Sequence, residues 1–150
     1  MADDRTIPID PDRPPRRRIE PDVLAVIALG GVAGATARYA VAQALPTRPG
    51  HFPWATFWTN LSGSLVLGFL LVVLIERFRP TRYLRPFLAT GILGAYTTMS
   101  TYAVETAVLI KDGHAATGLA YGIGSLVPGV ALAYAGMVAA RRLPARPVPA

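Results

Sequence analysis

Gly91-Ile92-Leu93-Gly94-Ala95-Tyr96-Thr97-Thr98-Met99-Ser100-Thr101-Tyr102 is the stretch on which the fold turns. It lies inside a hydrophobic run that starts at Pro86 and meets no Asp, Glu, Lys or Arg until Glu105. A run of about 19 residues rising 1.5 Å per residue matches a hydrocarbon core of roughly 30 Å. Its middle, however, is filled with glycines and with β-branched or hydroxyl residues, a composition that favours a break in the helix. Irregular backbone at membrane depth survives only when buried in protein or lining a cavity, and its freed carbonyls suit a small hard cation. The other reading is a continuous helix whose Ser and Thr hydroxyls bond back to the preceding turn.

Outward from this stretch the same pattern repeats. Further apolar runs start at about Val23, Phe52 and Ala115, and those from Phe52 and Ala115 are free of charge until Glu76 and Arg141. The first, Val23 to Leu45, is interrupted only by Arg38, and Pro46-Thr47-Arg48-Pro49-Gly50 ends it. Trp54 and Trp58 then suit an interfacial belt. These runs predict an all-α membrane protein of four transmembrane helices spanning 23–142. Residues 1–22, Pro-rich and charged, form an expected disordered tail, and 143–150 a second short tail. The first run is too long for the apolar core of a signal peptide and is read as a retained helix.

Charge distribution gives the orientation. Fourteen of the fifteen cations are arginines, and most flank the apolar runs, which argues for a topological role and against a nucleic-acid partner. Four spans put the N-terminal tail, the second loop and the C-terminal tail on one side. Arg5, Arg13 and Arg16 to Arg18, then Arg77, Arg79, Arg82 and Arg85, then Arg141, Arg142 and Arg146 lie there, twelve in all. Arg38, Arg48 and Lys111 lie opposite. Both termini are therefore expected in the cytoplasm of a cell-membrane protein. With no cysteine, disulfides, thiolate catalysis and Cys-ligated metals are excluded, and the distant His51 and His114 offer no histidine metal site. No enzyme site is apparent.

Several polar residues interrupt the apolar runs. Thr56, Asn60 and Ser64 fall four apart, on one face of a helix. An amide in hydrocarbon needs partners, so Asn60 either ties helices together or lines a wet path. In the last run Gly118, Gly122, Ser125, Gly129 and Gly136 form a narrow stripe for close helix approach, and Tyr121 and Ser125 add hydroxyls beside it. Arg38 either snorkels to the interface or draws an anion into a vestibule. Glu105 is expected near the mouth of the third span, at the water interface.

The segments Gly30-Gly31-Val32-Ala33-Gly34-Ala35-Thr36-Ala37-Arg38-Tyr39, Thr59-Asn60-Leu61-Ser62-Gly63 and Gly91 to Gly94 with Thr97 to Thr101 together resemble the Fluc (CrcB) fluoride channel family. The resemblance runs from about Ala28 to Arg141 and leaves out both tails. It implies an antiparallel dimer whose subunits have a third helix broken near its middle, passive export of fluoride that confers fluoride resistance, and a central structural sodium ion. On that resemblance, main-chain carbonyls of Gly94 and Thr97 would hold the sodium. Asn60 would supply the pore amide, Tyr121 and Ser125 the polar track, and Thr56 a further pore hydroxyl, with Arg38 and Glu105 at the mouth. Donors of this kind can replace the water around a strongly hydrated anion.

The chain departs from the family at Met99 and Tyr102, where phenylalanines are usual and their positive ring edges are thought to meet the anion. One of two pores is then expected to be altered or silent. The charge bias also conflicts with a homodimer of opposed subunits, which points to a homologous partner of opposite orientation. Two rival classes remain. A small multidrug exporter would need a carboxylate in the first span, which has none. A non-conducting structural partner would use Asn60, the third-run glycines and Tyr121 for packing alone.

Overall fold

A computed structural model describes residues 20–77 and 82–143, and every regular element among them is helical. The expected tails, 1–22 and 143–150, lie almost wholly outside the described residues, as does Arg79. Helix α1 (Pro21–Ala44) begins with Pro21 in its first turn, where a missing N–H costs nothing, and Asp22 beside it complements the helix dipole. It stops at Leu45 (φ −125°, ψ 65°), because Pro46 disfavours helical backbone in the residue before it. Helix α2 (Trp54–Val72) continues through wider π-type turns, Val73–Arg77.

Helix α3 (Pro86–Leu93) is also π-wound and closes with a regular turn, Gly94–Tyr96. Thr97 (φ −81°, ψ 156°) and Thr98 (φ −148°, ψ 115°) are extended, and α4 (Met99–Lys111) follows them. After Gly113 (φ 87°), α5 (Ala115–Arg141) runs through Pro128. Helices α1, α2 and α5 are each long and apolar enough to cross a membrane. The apolar run from Pro86 holds α3 and α4, neither of which reaches that length alone.

Without a hydrophobic force between helices in lipid, close backbone contact must supply the packing, and glycines permit it. Helix α1 lies against α3, where a Cβ at Gly30 would stand 2.5 Å from the Phe87 carbonyl oxygen and one at Gly91 2.8 Å from that of Ile27. Helix α2 runs along α5 in the same way, Gly68 meeting the Ala133 carbonyl and Gly136 that of Leu65. At the end that carries Glu20, Arg82 bridges Asp22 (2.8 Å) and Glu20 (3.1 Å), and the Tyr83 hydroxyl donates to Asp22 at 2.7 Å. These exposed pairs steer the chain into α3 and add little stability.

Candidate functional site

Asn60 and Thr98 form the centre of the site. The Thr98 N–H donates to Asn60 Oδ1 at 2.8 Å, and Asn60 Nδ2 donates to the Thr98 carbonyl at 3.0 Å. Extended Thr98 can exchange both bonds with one side chain, as two residues of facing strands do. The Thr98 hydroxyl accepts the Thr101 N–H at 3.2 Å and so caps α4. Thr97 Oγ1 donates back to the Leu93 carbonyl at 2.9 Å, ending α3.

Two cavities flank Thr98. One, of about 290 Å³, is lined by Asn60, Ser64, Thr97, Thr98, Met99, Tyr102, Ser125 and apolar residues of α2 and α5. Ser125, in its wall, is 6% exposed, and its buried hydroxyl has no hydrogen-bond partner among the described residues. The other cavity, of about 510 Å³, is lined by Arg38, Tyr39, Thr47, Thr56, Thr59, Thr98, Thr101 and Glu105 with apolar residues of α1 and α2. The four-residue spacing of Thr56, Asn60 and Ser64 therefore straddles both: Thr56 faces one, Ser64 the other.

Glu105 does not stand free in water. It is half-buried, accepting from Thr56 Oγ1 on Oε1 at 3.0 Å and from the Tyr121 hydroxyl on Oε2 at 2.7 Å. The sequence reading, which puts Glu105 near the mouth of the third span, does not reveal these two donors, which come from α2 and α5. Tyr121 is fully buried, with the Phe52 ring 5.3 Å away edge to face and the Tyr102 ring at 5.4 Å. Tyr102 donates its hydroxyl to the Gly122 carbonyl at 2.9 Å. Met99, by contrast, is 70% exposed.

Arg38 joins Glu105 in the larger cavity, while exposed Gly94 opens the helical turn before the extended segment and half-buried Thr97 begins that segment. Sequence reasoning missed Thr98, Thr101 and Phe52. The first two carried a signal, because 98, 101 and 105 fall three and four apart on one face of α4. Phe52 carried none, since it sits in a loop before α2.

Residues 25–137 match the family model described as CrcB-like protein, Camphor Resistance (CrcB). The chain is 49% identical over 112 residues to the fluoride-specific ion channel FluC 2 of Streptomyces avermitilis, covering 72% of this chain and 71% of that one. Against FluC 3 of the same organism identity is 46% over 133 residues, 89% of this chain but 65% of the relative. Against FluC 2 of Nocardia farcinica it is 41% over 123 residues, 82% and 88%.

Proposed function

The chain belongs to the CrcB-like family, and on that premise we propose that it is a subunit of a fluoride-specific channel through which fluoride leaves the cytoplasm passively across the cell membrane. Its relatives are named as ion channels, a class without an enzymatic reaction. The observation that carries the reading is the buried, unpartnered Ser125 hydroxyl in the same cavity as the Asn60 amide. A buried hydroxyl without an acceptor costs free energy, and an anion supplies the acceptor. Asn60 spends one Nδ2 hydrogen on Thr98 and keeps the other for the cavity. Two such donors replace part of the hydration shell of a small anion.

The second element is a dimer in which α3 and α4 are two halves of one span. Gly94, Met99, Ser100 and Thr101 are exposed on the single chain, next to extended backbone at bilayer depth. Lipid cannot satisfy such backbone, so another protein surface has to cover it. The segment also fits the sodium ion that the family implies. In an unbroken helix the Gly94 and Thr97 carbonyls would accept from the N–H groups of Thr98 and Thr101. Those two donors go to Asn60 Oδ1 and to the Thr98 hydroxyl instead. Gly94 and Thr97 would hold the cation, which would neutralise the carbonyl dipoles gathered there.

The third element is the partner. Twelve cations on one side of the spans against three opposite favour one orientation for this chain, with the richer side cytoplasmic, and this supports an antiparallel dimer with a homologue of reversed bias. Two relatives, FluC 2 and FluC 3, come from one organism. A second reading, a non-conducting structural partner, is favoured by Tyr102, whose hydroxyl is tied to Gly122, and by Met99, which has no ring. Purified chain, alone and with its homologue, is reconstituted in liposomes and fluoride efflux is followed by electrode. Efflux that requires both chains and falls in Ser125→Ala supports the proposal. Full efflux from the chain alone with one orientation overturns the pairing, and no efflux in either case leaves the structural-partner reading.

A further inference from the structure

We propose that Asn60 is the positioning residue that holds the backbone open between α3 and α4, and that the same amide which faces the anion cavity thereby keeps the Gly94 carbonyl available to a cation. Only the last step rests on the sodium reading above. Helical closure at this point would return the Thr98 N–H to the Gly94 carbonyl and turn the Thr98 carbonyl along the helix axis. Both groups are instead claimed sideways by one amide, at 2.8 Å and 3.0 Å, a pairing that extended Thr98 permits and a helical one would not.

Helix α2 is placed to impose this. Gly63, one turn beyond Asn60, lets its backbone approach so closely that a Cβ there would run into Thr97 Cγ2. Remove the amide, and the Thr98 N–H and carbonyl both lose their protein partner inside the span. The helical acceptor for that N–H is the Gly94 carbonyl. Loss of Asn60 therefore drives closure, and closure consumes a cation ligand. Locally, the Thr98 hydroxyl caps α4 at the Thr101 N–H and favours extended Thr98, but it satisfies neither the Thr98 N–H nor the Thr98 carbonyl, which Asn60 takes. Asn60 is the tie from outside the segment.

The test uses the full chain with its partner in lipid nanodiscs. Threonine-selective ¹³C labelling reports Thr98 as extended or helical, and melting temperature is followed against NaCl, with N-methyl-D-glucamine chloride at equal ionic strength as control. Wild type is expected to show extended Thr98 and a sodium-dependent rise. In Asn60→Ala, Thr98 moves to helical shifts, and half-maximal stabilisation needs about tenfold more sodium or is lost, the scale of one stranded hydrogen-bonding group. Asn60→Asp, which keeps the acceptor for the Thr98 N–H and is the variant to use should the alanine chain fail to fold, keeps Thr98 extended. Ser125→Ala keeps both the shifts and the sodium response. Thr98 remaining extended in Asn60→Ala, or turning helical in Asn60→Asp, overturns the proposal whatever sodium does. Wild type without a sodium response, paired with helical Thr98 in Asn60→Ala, overturns the sodium reading and leaves the role of Asn60 standing.

Discussion

The Tyr121 hydroxyl donates to Glu105 Oε2 at 2.7 Å while Thr56 occupies the other carboxylate oxygen, so one side chain of α4 is held by donors from α5 and α2. Hydrogen bonds to charged acceptors contribute about 1.5–3 kcal/mol each, and here both act through a single group. Tyr121→Phe and Thr56→Val are each expected to lower thermal stability, and the double variant to lose less than the sum, because the second loss falls on a carboxylate already displaced. A double-mutant cycle on melting free energies checks this. Strict additivity would mean that Glu105 does not couple the two helices.

The glycine seams separate into two groups that composition does not distinguish. At Gly68 and Gly136 a methyl group would strike carbonyls of the facing helix, whereas at Gly31 and Gly124 nothing among the described residues lies within 4 Å. Overpacking against rigid backbone costs about 1–3 kcal/mol. A helical glycine replaced by alanine in open space gains up to about 1 kcal/mol. Gly68→Ala and Gly136→Ala are therefore expected to melt earlier than wild type, and Gly31→Ala and Gly124→Ala at or above it.

Much of this architecture is legible in the sequence, because apolar runs bounded by charge and proline respond to the bilayer directly. The apolar runs and the polar face through Asn60 depend on such local patterns. What the sequence conceals are pairings across long separations. Glu105 reads as a mouth residue from its neighbour Lys111, and nothing local announces that Thr56 and Tyr121 both donate to it. Thr98 reads as one hydroxyl among several, yet its backbone, paired with a residue 38 positions earlier, is what matters. Phe52 reaches Tyr121 through a loop geometry that no periodicity encodes.

Tyr102 is braced by its hydroxyl on the Gly122 carbonyl, so its ring is fixed against Tyr121 and one wall of the smaller cavity. Tyr102→Phe removes about 0.5–1.5 kcal/mol of hydrogen bonding and frees the ring to rotate. The expected outcome is a modest fall in melting temperature together with a rise in fluoride efflux, as the positive ring edge gains access to the cavity. Gly122→Ala places its methyl 3.7 Å from the Tyr102 hydroxyl oxygen, an ordinary contact, and should leave both measurements near wild type. A fall in efflux in Tyr102→Phe would show that the hydroxyl itself serves the ion.

Ser125 gives the sharpest separation between stability and permeation. Its hydroxyl is buried with no partner, a state that costs the folded protein about 1–3 kcal/mol relative to a satisfied group. Ser125→Ala removes the polar atom without opening a cavity of consequence, so thermal stability should hold or rise. If the hydroxyl exists to receive an anion, efflux from liposomes should fall at the same time, by about tenfold for the loss of one hydrogen bond to a charged ligand. A residue that only packs α5 would show the opposite pattern, with efflux unchanged and stability tracking volume. Ser125→Thr, which restores the hydroxyl with one added methyl, should recover part of the flux, and failure of that rescue alongside a stable fold would assign the effect of the alanine to cavity shape.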